Sequence, residues 1–144
     1  MALISGTSGV LLVLALFIWR LAPHFVLNRT VRSVALRLVQ IELLSRSTGA
    51  DFQVDFLHDR YRVQVFDKNT DDWIIQRQIR FPYGITCGPD VFIYRFSRGK
   101  MVEFLYRDRD GKVPRSVILD FFSLRSERVR SLIFYRQGDW KVLR

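Results

Sequence analysis

Residues 10–48 read VLLVLALFIWRLAPHFVLNRTVRSVALRLVQIELLSRST, and the change of pattern inside this stretch decides the fold. Val10 to Trp19 is apolar without a break. Past Pro23 the apolar positions thin to Leu27, Val31, Val34, Leu38 and Ile41, at steps of four, three, four and three. That recurrence is the stripe of an amphipathic helix, and such a stripe needs a surface to pack on. Asn28, Arg29, Arg32 and Arg37 lie off it. Two kinds of helix therefore stand end to end. Pro23 joins them, and its missing N–H and bulky ring predict a kink or a loosened turn there. The lower helix is expected to run to about Ser45, with Ser47-Thr48-Gly49 as its stop.

Working upward, residues 1–19 contain no Asp, Glu, Lys or Arg, so all 23 basic and 14 acidic residues lie beyond them. A helix at ~1.5 Å per residue over this segment nearly spans a hydrocarbon core of ~30 Å. Val10, Leu11, Leu12, Leu14, Phe17 and Trp19 are the expected membrane-anchor residues. Trp19 suits the interface and Arg20 can snorkel to it. A cleaved secretory signal has an apolar region of similar length. No basic residue precedes the run, however, and Arg20-Leu21-Ala22-Pro23 is a poor cleavage site. A retained single-pass anchor is the better reading. Arg20, Arg29, Arg32 and Arg37 all come after the run, so the positive-inside rule would place the C-terminal domain in the cytoplasm.

Working downward, the period changes to two beyond Gly49. Phe52, Val54 and Phe56 alternate with Gln53 and Asp55. After the turn His58-Asp59-Arg60, Tyr61, Val63 and Val65 alternate with Arg62 and Gln64. The two runs read as a β-hairpin, and residues 67–72 as a polar loop. Further strands are expected at 73–81, 91–96, 101–106, 116–122, 129–136 and 139–143. Pro82-Tyr83-Gly84, Gly88-Pro89-Asp90, Ser97-Arg98-Gly99, Asp110-Gly111 and Gln137-Gly138-Asp139 supply the turns between them. No second long helix is suggested. The fold class is α+β: residues 1–23 an anchor, 24–48 an amphipathic helix, 49–144 an antiparallel β domain.

Signs of catalysis are few. His24 and His58 are the only histidines, and neither is placed to join Cys87 or a Ser in a triad. Cys87 is the single cysteine, which excludes an internal disulfide and reads as a buried small apolar residue. Asp108-Arg109-Asp110-Gly111 lacks the later oxygen ligands of a calcium loop, so a hairpin turn is the better reading. No enzyme activity, metal, cofactor or small-molecule substrate is expected. The net charge is +9. Such a balance favours anionic neighbours, although dispersed charges more often form only a solvated surface. From Lys112 to Arg144 there are eight basic residues and three acidic ones. Arg125, Arg128, Arg130, Arg136, Lys141 and Arg144 are interleaved with Phe134, Tyr135 and Trp140. Cations beside aromatics can hold phosphates and stack bases. The plainer reading is a sheet with a solvated Arg-rich face and a packed aromatic one.

Taken in order, these features resemble a type IV pilin-like protein, and more narrowly the GspH/FimT group of minor pseudopilins. The run from Val10 to Trp19 is similar to the apolar half of a pilin helix. Ala22-Pro23-His24-Phe25 resembles the step that comes after it, and Val34-Ala35-Leu36-Arg37-Leu38 the amphipathic continuation. Phe81-Pro82-Tyr83-Gly84-Ile85, Phe104 followed by Asp110-Gly111, and the final Leu132–Tyr135 and Gly138–Val142 segments resemble successive parts of the β domain. The sequence departs from the family in having no acidic residue before Glu42, where a Glu would stand near Gly6. A start downstream of the usual leader, or a divergent member, would each account for that. The resemblance implies an inner-membrane protein with an outward-facing β domain. It would be a subunit of a type II secretion or type IV pilus-like filament, whose partners are other pilin-like subunits at a filament tip or secreted cargo. Leu27, Val31, Val34, Leu38 and Ile41 would be its assembly stripe, so Asp at Val34 or Leu38 is expected to block assembly and leave the β domain folded. The FimT side of the group implies an alternative, DNA capture by the basic C-terminal residues.

Overall fold

The computed structural model describes residues 2–88, 92–98, 100–105, 115–135 and 139–143. Helix α1 runs from Ala2 to Thr48 without interruption. The helix continues through Pro23, where a kink or a loosened turn was expected. A proline forfeits one hydrogen bond, here the one its N–H would have made to the Trp19 carbonyl, and the turns on either side carry the helix past that gap. Below Pro23 the Leu27–Ile41 stripe is held against the β domain. The helix ends as its sequence predicts. Gly49 takes φ +70° and its N–H donates to the Ser45 carbonyl at 2.9 Å. Only glycine adopts that left-handed conformation without a Cβ penalty. The Ser45 hydroxyl donates to the Ala50 carbonyl at 2.9 Å, which turns the chain toward the first strand.

Nine strands come next among the described residues: β1 Phe52–Phe56, β2 Arg60–Asp67, β3 Asp72–Arg80, β4 Ile85–Gly88, β5 Phe92–Ser97, β6 Lys100–Leu105, β7 Ser116–Ser123, β8 Ser126–Tyr135 and β9 Trp140–Leu143. They form two antiparallel sheets, one ordered β3-β2-β1-β5-β6 and the other β4-β7-β8-β9. The expected β1–β2 hairpin forms, with Val54 opposite Val63 and Phe56 opposite Tyr61. On its other side β1 pairs with β5, Val54 opposite Tyr94. Strand β4 is absent from the strands read by alternation, and only the resemblance of Phe81–Ile85 to a turn before a strand pointed to it. Its four residues lie between Gly84 and Pro89, too few for alternation to show, and its pairing with β7 gives it its strand character. The turn expected at Asp110-Gly111 lies outside the described residues.

One core joins α1 to both sheets. Leu27, Val31, Val34, Leu38 and Ile41 face Val54, Phe56, Tyr94 and Phe96 of one sheet and Leu119, Phe121, Leu132 and Phe134 of the other. Tyr94 meets Phe134 at 4.8 Å between ring centroids, and Phe81 meets Phe121 at 5.6 Å, both edge to face. At the far end of the helix the Trp140 indole N–H donates to Glu42 Oε1 at 2.7 Å, tying the last strand to α1.

The outer face of the first sheet departs from simple alternation. Gln53, Asp55 and Gln64 are buried, although their positions opposite the core read as solvated. Asp55 is the hub. Its carboxylate accepts from Gln53 Nε2 at 2.9 Å, Gln64 Nε2 at 2.5 Å and Arg62 Nη2 at 3.3 Å. Arg95 Nε donates to Gln53 Oε1 at 2.7 Å, and its guanidinium lies over the Trp73 ring.

Candidate functional site

The helix is the element with most to offer a partner, and its two halves differ. Residues 7–20 are exposed throughout, the six expected anchor residues Val10, Leu11, Leu12, Leu14, Phe17 and Trp19 among them. This half is long and apolar enough to cross a membrane. Its most apolar window is only 6 % buried, so it is not the core helix of the domain. At Leu21 exposure gives way to partial burial, and Pro23 is buried.

In the lower half the helix presents two faces. The residues expected to mediate assembly, Leu27, Val31, Val34, Leu38 and Ile41, are at most 3 % exposed. They are spent on the protein's own core. A side chain with no free surface cannot meet a neighbour, so the expectation of a stripe shared with other subunits is corrected. The opposite face carries Phe25, Leu36, Val39 and Leu43, all between 42 % and 64 % exposed, with the exposed Arg29 and Arg32 among them, and Leu44 stands on its flank. Phe25, Leu36 and Leu43 fall within about 20° of one another around the helix, at ~100° per residue. Their spacing of eleven and seven was readable in the sequence, but the stronger inward stripe overshadowed it.

The basic residues proposed for nucleic acid do not all share one surface. Arg125 lies in the exposed turn between β7 and β8. Arg128 and Arg130 have the same strand parity as the buried Leu132 and Phe134, so they point toward the helix. Arg128 Nη1 sits 3.3 Å from the ring nitrogens of His24. Arg130 lines a groove of about 610 Å³ beside Arg29 and Arg32. Lys141, opposite Ile133, lies on the other face, its ammonium 5.7 Å from the Tyr135 ring centroid. Arg136 and Arg144 lie outside the described residues. Sequence proximity had grouped side chains that strand alternation separates.

Cys87 is buried, and its thiol donates to the Leu57 carbonyl at 2.8 Å. Burial, then the nearby Asp59 carboxylate, pushes its pKa up to about 12. At neutral pH it is held as a thiol, the form that is not nucleophilic. No group of three or more His, Cys, Asp or Glu side chains that could hold a metal ion occurs among the described residues. No protein-family model, no curated protein and no solved structure matches this chain.

Proposed function

We propose that this protein is a membrane-anchored structural subunit that assembles through its N-terminal helix into a pilin-like filament, in the manner of a minor pseudopilin. The observation that carries this reading is the second apolar face of α1. Leu36, Val39 and Leu43 on that face are covered by nothing among the described residues, and the exposed Arg29 and Arg32 separate them from Phe25 and the apolar helix above. A monomeric helix packed on its own domain gains nothing from such a face, whereas a bundle of parallel helices buries it at roughly 25 cal/mol per Å². The anchor holds subunits in one plane, and the exposed stripe gives neighbouring helices a surface to meet. The resemblance in order of features supports a β domain outside the inner membrane, as a contact for other subunits or cargo.

The test uses a photo-reactive residue at Leu43 in the full chain in native membranes. It should capture the N-terminal helix of another pilin-like subunit, identified by mass. A second version carrying Leu36→Asp should lose that product with the β domain still folded, because position 36 faces away from the core. Unchanged capture by the Asp variant, or capture only of chains lacking such a helix, would sink the reading. A C-terminal alkaline phosphatase fusion should be active; an inactive fusion reverses the orientation.

A further inference from the structure

The chain direction of the strands defines two ends of the β domain. β1 and β3 run from the helix C-terminus toward the anchor, and so does β7. The turns after these strands therefore gather at the anchor-proximal end, as their contacts show. Arg128, just past the β7–β8 turn, reaches His24. Pro82 shares a groove with Val26 and Arg29. The Leu124 N–H donates to the Gly84 carbonyl at 2.9 Å, which binds the Pro82–Gly84 turn to the Leu124–Arg125 turn. Gly84 takes φ +84° there, with Leu124 Cβ next to where its own would stand.

This end differs from the opposite end among the described residues. Tyr83 is 93 % exposed and Leu124 77 %, adjacent large apolar side chains at the tips of two turns that brace one another. Arg125 follows Leu124 in its turn, Arg128 reaches His24, Arg80 and Arg29 share the groove with Pro82, and Arg20 lies one helical turn above His24. Asp59 at this end is offset by Arg60 at 3.5 Å. In residues 121–135 three arginines stand against the single acidic Glu127. The opposite end carries both signs, with Asp67, Asp71 and Asp72 beside Lys68 in the β2–β3 turn.

Axial distance fixes the level of this end. Residues 2–19 rise about 27 Å as a helix, close to the ~30 Å hydrocarbon thickness. Burial by the domain begins at Leu21 to Pro23, only about 5 Å further along. Arg128 meets the helix at His24 and Pro82 meets it at Val26, about 7 and 10 Å past Trp19, so with the apolar half in the bilayer the exposed tips of the two turns point into the headgroup layer. We propose that the Pro82–Gly84 and Leu124–Arg125 turns form a second membrane-contact surface, in which Tyr83 and Leu124 enter the interface while Arg125, Arg128 and Arg20 hold anionic phospholipid headgroups. The proposal rests on the anchor reading and holds for either orientation. Tyrosine at headgroup depth keeps its hydroxyl wet and its ring in the apolar boundary, and arginine pairs with phosphate in bidentate fashion. The contact would lock the tilt of the domain on the membrane, and it must be broken before the helix can leave the bilayer.

The full chain is reconstituted into vesicles of phosphatidylcholine alone or mixed with phosphatidylglycerol. A fluorophore is carried at Tyr83→Cys or, as the far-end control, at Thr70→Cys; buried Cys87 remains unlabelled. Flotation with both vesicle types tests the anchor separately, and failure to float would refute that reading rather than this one. In floating protein, headgroup-nitroxide lipids should quench the label at 83 and not at 70, more strongly with phosphatidylglycerol. Arg125→Ala, an exposed turn substitution, should lower the contact constant about fivefold, the change that corresponds to ~1 kcal/mol per cation at an anionic surface. High salt should act in the same direction. Equal quenching at 83 and 70, or no dependence on anionic lipid or on Arg125, overturns the proposal. So does a result in which a DNA oligonucleotide perturbs the label at 83 and anionic lipid does not, which would assign the arginines to nucleic acid.

Discussion

Asp55 shows how much one side chain can organise. It is 3 % exposed on a sheet face that the alternation of β1 would give to solvent. Two glutamine amides and one guanidinium converge on its carboxylate, and Arg95 extends the set through Gln53 to the Trp73 ring. A buried network of this kind is costly when half satisfied. Asp55→Ala leaves the Gln53 and Gln64 amides and one face of Arg62 without their acceptor, and should lower stability by about 3 kcal/mol. Replacing Gln53, Asp55 and Gln64 together by apolar residues of similar size should cost much less, because no amide donor is then stranded and the partly exposed Arg62 and Arg95 can turn to water. Urea unfolding of the full chain in detergent, followed by tryptophan fluorescence, reads both. Equal losses for the single and triple variants would show that Asp55 contributes through something other than these bonds.

At the scale of elements, the two faces of α1 below Pro23 make opposite predictions from neighbouring residues. Val34 is 1 % exposed in the shared core and Leu36 is 60 % exposed on the free face. Val34→Asp buries a carboxylate with no partner and should destabilise the domain by several kcal/mol. Leu36→Asp should change the urea midpoint by no more than about 0.5 kcal/mol equivalent, as surface substitutions do. Finding Val34→Asp harmless would remove the helix from the core. The inward stripe, the helix stop at Gly49 and the β1–β2 hairpin were legible because each rests on local chemistry: 3.6-residue periodicity, a left-handed cap, strict alternation. β4 was not, since four residues between glycines and prolines carry no period. The polar network was not either. Gln53 and Asp55 look solvated in sequence, and only the pairing of β1 with both β2 and β5 brings Gln64, Arg62 and Arg95 around them. The basic C-terminal residues misled for a related reason. Their spacing along the chain is visible, but their division between two faces depends on register.

For the whole molecule, the question is where the folded unit begins. The anchor boundary near Arg20 and the domain boundary near Gly49 are both visible as composition changes, yet neither is the edge of the cooperative unit. The residues from 7 to 20 are exposed and contribute nothing to the core. Leu27, Val31, Val34, Leu38 and Ile41 contribute a wall of it, and they bridge two sheets that the strand order keeps separate. Five such side chains, at about 1.5–3 kcal/mol each, are worth roughly 7–15 kcal/mol. A domain of this size has a net stability of only about 5–15 kcal/mol. A chain starting at Gly49 should therefore fail to fold, although it keeps every strand. A chain starting at Leu21 should be water-soluble and unfold in urea at the same midpoint and with the same slope as the full chain in detergent. Near-UV circular dichroism of the two shortened chains decides the matter. A native spectrum from the chain starting at Gly49 would mean that the sheets close on each other, and that α1 is an appendage rather than the third layer of the core.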